Sequence, residues 1–195
     1  MVQLALLSAV ILVMAFTPLG YLKIGALSIT FITIPVVVGA ILLGPGGGAF
    51  LGGVFGLTSF VQCFGMDWFG TTLFGIHPVF TFIMCVGARI LMGFLTGLIF
   101  RALYKVDKTK IWSFAVTSLS GALLNTALFM GCLVLFFGRS EFIVNMQAEK
   151  GVSSIMGFLV AMVGLNGVLE AVVCLVAGSA ISKALHLYLT RRSKV

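Results

Sequence analysis

A single arginine inside a membrane-length apolar run constrains this chain more than any other feature. The run spans residues 78–100, and a helix of that length crosses a bilayer at ~1.5 Å per residue. Arg89, in the stretch VGARILMGF (residues 86–94), lies near its middle. A lone guanidinium at that depth costs at least ~2.5–3.5 kcal/mol, so it must face protein, a partner charge or a watery cavity. One acid occupies a comparable setting, Glu170 in LNGVLEAVV (165–173). Two amides lie at similar depth: Asn125 in GALLNTALF (121–129), and Asn166, one helical turn before Glu170. Polar side chains at the middle of three apolar helices predict one internal polar site.

The rest of the composition places that site in lipid. The chain is 61% hydrophobic and 9% charged, with a mean hydropathy of +1.23, which excludes an ordinary soluble domain. The opening residues MVQLALL carry no basic n-region, so a cleaved signal peptide is not expected. Twelve Lys+Arg against five Asp+Glu give a net charge of +7. No basic stretch is interleaved with exposed aromatics, which argues against a nucleic-acid partner. Cys63, Cys85, Cys132 and Cys174 are far apart, with no CxxC and no Cys/His cluster. They read as small apolar residues, and neither a disulfide nor a metal is expected.

Apolar runs and their breaks predict an all-α membrane protein in which residues 1–195 form one domain of six transmembrane helices. The helices cover about residues 2–16, 31–43, 49–64, 79–104, 111–137 and 154–188. Between the first two, YLKIGALSIT (21–30) alternates polar and apolar residues in part and suits extended chain. The break Gly44-Pro45-Gly46-Gly47-Gly48 is short and uncharged, so it predicts a tight hairpin. Residues 65–78 and 138–153 read as long loops. Six crossings put both termini on one side. That side carries Arg101, Lys105, Lys108, Lys110, Lys183, Arg191, Arg192 and Lys194, eight of the twelve basic residues. The positive-inside rule then makes both termini cytoplasmic and turns the three longer connections outward from the plasma membrane.

Several motifs carry two readings. Gly48, Gly52 and Gly56 recur every four residues, as do Gly93 and Gly97; in lipid this spacing lets helix backbones approach closely. The run 44–49 follows no predicted strand and has no acidic residue downstream, so it is not a dinucleotide fingerprint. Ala5 and Ala9 make a small patch on an otherwise bulky first helix. Trp68 and Phe69 suit either interfacial anchoring or a hydrophobic lid over a ligand. His77, just before Pro78, suits a helix entry or a pocket rim. Arg89 and Glu170 fit either a closed ion pair joining two helices or two walls of a ligand site, and the nearby amides favour the second. No nucleophile or metal-ligand set accompanies the polar cluster, so an intramembrane enzyme lacks catalytic residues.

Four segments together resemble a known family: TPLGYLKIGALSITFITIPVVVGAILLGPGGGAFLGGVFGLTS (17–59), ARILMGFLTGLIFR (88–101), LLNTALF (123–129) and LNGVLEAVV (165–173). The chain resembles the substrate-binding (S) components of energy-coupling factor (ECF) transporters, and the branch containing pantothenate and hydroxymethylpyrimidine carriers above the others. The resemblance implies a vitamin site open to the outside. It also implies docking on a transmembrane coupling subunit driven by two cytoplasmic ATPases. Small alanines on the first helix of that family contact the coupling subunit, here Ala5 and Ala9. Outer loops that gate the pocket map onto residues 21–30, 65–78 and 138–153. Relatives often have a lysine after the proline of the second turn, where this chain has Gly46.

These readings converge on a substrate-capture subunit for vitamin uptake, not an enzyme and with no cofactor. Pantothenate is the best single ligand: its carboxylate suits Arg89, and its hydroxyls and amide suit Asn125, Asn166 and the hydroxyls of Ser28, Thr30 and Thr71. Glu170 would orient Arg89 or accept a ligand hydroxyl. If Glu170 fully neutralises Arg89, a neutral ligand such as hydroxymethylpyrimidine fits better, stacked on Trp68 or Phe69. Pyridoxine and folate are further candidates, and a purely structural membrane protein is the alternative from another class. The chain has no G-x-x-x-x-G-K-[ST] stretch, so the energy for transport must come from a partner.

Overall fold

A computed structural model describes residues 1–17, 20–24, 27–107, 111–149, 151, 154, 157, 164 and 167–192, with 21–24, 27–29 and 189–192 described as backbone alone. Helix α1 (Val2–Ala15) leads into strands β1 (Tyr21–Ile24) and β2 (Leu27–Thr30), then α2 (Thr33–Gln62) and α3 (Trp68–Ile76). Helix α4 (Pro78–Phe82) runs through a π-helical turn (Ile83–Gly87) into α5 (Ala88–Val106). Then come α6 (Trp112–Phe137) and α7 (Glu141–Glu149). The final span, Gly167–Tyr188, contains a second π turn (Cys174–Gly178) and continues as α8 (Ser179–Arg192). Among the described residues, four helical stretches are long and apolar enough to cross a membrane: Thr33–Gln62, Pro78–Val106, Trp112–Phe137 and Gly167–Tyr188. The shorter α1 is apolar as well.

Helix α2 is two arms folded back on each other. Gly44 leaves the helix with φ 79° and ψ −171°, and Pro45 follows it. Space beside Gly39 is filled by Leu51, and a Cβ on Gly48 would stand 2.7 Å from the Cβ of Ala40. In a straight helix, residues 40 and 48 would be ~12 Å apart along the axis. The uncharged glycine break therefore makes the tight hairpin expected of it, between arms 33–43 and 45–62. Only glycine serves at position 44, because its φ is positive and a side chain there would meet the Arg101 guanidinium.

The second arm lies antiparallel on α5 along a glycine seam. A Cβ on Gly48 would strike the Gly93 carbonyl, one on Gly52 the Arg89 carbonyl, and one on Gly56 the backbone of Cys85 and Val86. Gly97 in turn lies against the backbone of Gly44 and Pro45. Both four-residue glycine rows thus serve internal packing, letting two backbones touch where lipid provides no hydrophobic drive. Helix α1 covers the other flank, with Ile11 and Ala15 packed in one cluster with Ile32, Val36, Leu51, Phe55 and Met92. Gln62 Nε2 donates to the Ala15 carbonyl at 2.7 Å and ties the two helix ends together. Ala5 and Ala9 are exposed on the opposite side of α1.

The connections carry more structure than loops. Residues 21–30 form an antiparallel hairpin in the register Tyr21↔Thr30 and Lys23↔Ser28, in line with the alternation there. The two stretches read as long loops each hold a nine-residue helix, α3 and α7. Helices this short are marginal alone and form here because they dock. Asp67 starts α3 by accepting from the Gly70 N–H at 2.8 Å. The rings of Trp68 and Phe69 then meet Phe142 of α7, at 5.6 and 5.8 Å. Phe69 and Leu73 of α3 with Ile143 and Met146 of α7 join Met84, Cys85, Val86, Met130, Leu133 and Phe137 in one apolar cluster. The two short helices therefore cap one end of the α5–α6 pair. His77 stands at the entry to α4, its ring stacked on Phe80 at 4.0 Å.

Candidate functional site

Arg89 is held at the first turn of α5, directly after a π turn. It is 6% exposed. Its Nη1 donates to the Met84 carbonyl at 3.3 Å, an acceptor inside the π turn. Its guanidinium lies between two rings, 4.8 Å from the centroid of Phe55 on α2 and 4.9 Å from that of Phe129 on α6. Cation–π contacts of this kind offset part of the cost of burying the charge. Nε is buried with no hydrogen-bond partner. Burying a charged group with one donor left unpartnered is costly, so this position is under electrostatic demand.

Glu170, also 6% exposed, is the acceptor of a separate cluster. Asn125 Nδ2 donates to its Oε1 at 3.0 Å, and Thr33 Oγ1 donates to the same oxygen at 2.9 Å. The backbone of Thr30, at the end of β2, bonds the same carboxylate. Asn125 and Phe129 lie one turn apart on α6, so the acid cluster and the arginine clamp are neighbours separated by ~6 Å of helix rise. Among the described residues no ion pair within 4 Å joins Arg89 to Glu170. Each charge has its own close partners, and the two interact electrostatically without a contact pair.

The other residues singled out from the sequence are distributed around this core. Trp68 is 64% exposed whereas Phe69 is 4% exposed, so the adjacent aromatics divide into a surface ring and a core ring. Thr71 accepts from the Gly65 N–H at 3.1 Å and donates to the Asp67 carbonyl at 2.7 Å, inside the turn that starts α3. Thr30 is buried; Ser28 lies opposite Lys23 in the hairpin, and its side chain is outside the description. Asn166 falls outside the described residues. Sequence reasoning passed over Thr33, Phe55 and Phe129. Phe129 sits in the quoted LLNTALF run one turn from Asn125, which is the signal that could have found it.

A bundle of membrane-length apolar helices with buried charged and amide side chains at its centre defines a polytopic membrane protein. The comparisons with known proteins specify it. The family model described as "ECF transporter, substrate-specific component" matches residues 1–181. The chain belongs to that family. It is similar to the "Pantothenate transporter PanT" of Leuconostoc mesenteroides subsp. mesenteroides, 29% identical over 185 residues, covering 91% of this chain and 87% of the relative. It is also similar to the "Pantothenic acid transporter PanT" of Lactococcus lactis subsp. cremoris, 30% identical over 166 residues, covering 80% and 76%. The chain is thus a multi-pass membrane protein of a transporter family, associated by that membership with an ECF module and a small substrate.

Proposed function

We propose that this chain is the substrate-capture subunit of an ATP-driven vitamin importer and that its substrate is pantothenate. The observation that carries the reading is Arg89, a buried guanidinium with an unpartnered Nε and, among the described residues, no carboxylate within 4 Å. A ligand carboxylate would complete it with charge-assisted bonds that gain strength in a dry site. A neutral ligand such as hydroxymethylpyrimidine would leave the Arg89 Nε donor without a charged acceptor. Both relatives are named as pantothenate transporters, which supports the same ligand.

In this reading Arg89, Asn125 and Glu170 form the floor of the site. Thr30, Trp68, Phe69 and Thr71 are the further proposed ligand contacts, and Asn166 and the Ser28 side chain lie outside the described residues. Helix α1, the two arms of α2, the stretch Pro78–Val106, α6 and the final span make six crossings of the plasma membrane. The basic residues then hold both termini in the cytoplasm. Ala5 and Ala9 face outward from α1, as a contact with the transmembrane coupling subunit requires, and two cytoplasmic ATPases supply the energy. Calorimetry on the purified protein in detergent tests the ligand. Saturable pantothenate binding is expected; no such binding, with another vitamin bound at nanomolar concentration, overturns the assignment.

A further inference from the structure

Glu170 is crowded with donors, and one of them, Thr33, has no part in the reading above. Thr33 is fully buried at the start of α2, three residues beyond the end of strand β2. Its Oγ1 lies 2.9 Å from Glu170 Oε1 and 3.3 Å from the Thr30 carbonyl oxygen. A hydroxyl has one proton to donate, and the shorter, charge-assisted contact takes it. Asn125 Nδ2 supplies a second donor to the same oxygen at 3.0 Å, and the Thr30 backbone bonds the carboxylate as well. A carboxylate offers about four acceptor positions. Among the described residues three are filled by protein, and one remains.

Where that last position points depends on how the carboxylate is turned. Thr33 and Asn125 hold Oε1 from two different helices, α2 and α6, and so fix the rotation. Resting on the capture of pantothenate proposed above, we infer that Thr33 is a positioning residue that sets specificity. Its hydroxyl orients Glu170 so that the remaining acceptor position receives a ligand hydroxyl. Arg89 then reads the anionic end of the ligand and the Thr33–Glu170 pair reads a hydroxyl at a distance from it. The chemical class selected is a hydroxylated carboxylic acid, and Thr33 acts on the hydroxyl half of that selection alone.

The test is calorimetry on the full-length protein in detergent, comparing wild type, Thr33→Val and Thr33→Ser. Three ligands are titrated: pantothenate, its analogue lacking the secondary hydroxyl and its analogue lacking the primary hydroxyl. Thr33→Val is expected to weaken pantothenate binding about tenfold or more, the scale of one hydrogen bond to a charged group. Thr33→Ser, which keeps the hydroxyl, should return it to within about twofold of wild type. The loss in Thr33→Val should shrink sharply for one of the two analogues, the one whose missing hydroxyl met Glu170. An equal loss for all three ligands means that Thr33 is merely structural, and no loss means that it does nothing; either overturns the inference. Should Thr33→Val not fold, Thr33→Ala is read against the same ligands. Wild-type protein without saturable pantothenate binding brings down the parent proposal, whereas wild-type binding untouched by Thr33→Val brings down this inference alone.

Discussion

Gly52 touches Arg89: the α-carbon of the glycine is set against the arginine's carbonyl oxygen, leaving no space for a Cβ between α2 and α5. The backbone that carries the buried guanidinium is therefore placed by a glycine on another helix. One residue along, a Cβ on Gly53 would meet only the Ile90 side chain, at 3.5 Å.

The pair gives an internal control. Gly52→Ala must push α5 away and shift Arg89, and overpacking of this kind costs about 1–3 kcal/mol. Its melting temperature in detergent and its ligand affinity should both fall. Gly53→Ala makes an ordinary contact and should keep both near wild type. Equal effects of the two substitutions would mean that the seam does not position the arginine.

Removing the guanidinium tests the site itself. Arg89→Ala is expected to weaken pantothenate binding by about 100-fold or more, since a buried charge-assisted pair broken at one partner costs about 2–5 kcal/mol. The protein should still fold, less stably, because the gap opens between Phe55 and Phe129. Arg89→Lys should recover only part of the affinity: an ammonium cannot reproduce the planar fork or its stacking between two rings. Normal binding by Arg89→Ala in a titration would make this charge a structural element instead.

Much of this arrangement was legible in the sequence, and the parts that were not share a cause. The glycine rows and the Gly44-Pro45 turn could be read because the residue type states its own packing requirement: small where backbones touch, φ-permissive where the chain reverses. Asn125 and Glu170 were legible as polar groups at similar depth in two apolar runs. The hydrogen bond between them was not, since the acid reads first as a partner for Arg89. Thr33 was invisible, since a threonine at a helix start reads as local chemistry and its partner lies 137 residues away. The π turns before Arg89 and after Glu170 have no residue signature; they show only in the backbone. Helices α3 and α7 were read as loops because their stability comes from docking on each other and on α5 and α6, not from local propensity.

Orientation in the membrane is open to a labelling experiment. In the proposed orientation residue 139 lies outside and residue 105 inside. Arg139→Cys and Lys105→Cys are made in a background carrying Cys132→Ala, because the other three native cysteines are buried. In intact cells a membrane-impermeant maleimide should label position 139, and it should label position 105 only after permeabilisation. The reverse pattern would invert the topology and put the α3–α7 cap in the cytoplasm.

Uptake should separate from binding on α1. Ala5 and Ala9 lie one turn apart on its exposed face, whereas Ile11 and Ala15 hold the helix to α2. A bulky side chain at either alanine therefore disturbs nothing inside the protein, and it obstructs any helix that packs closely against the patch. Ala5→Leu and Ala9→Leu are each expected to bind pantothenate within about twofold of wild type, a difference well under the 1.4 kcal/mol that marks a tenfold change. Accumulation of radiolabelled pantothenate by cells that supply the coupling subunit and ATPases should nevertheless drop severalfold. Co-purification with the coupling subunit should fall in parallel, which assigns the defect to docking and not to capture. If both variants transport at the wild-type rate, the coupling surface lies on another face of the bundle.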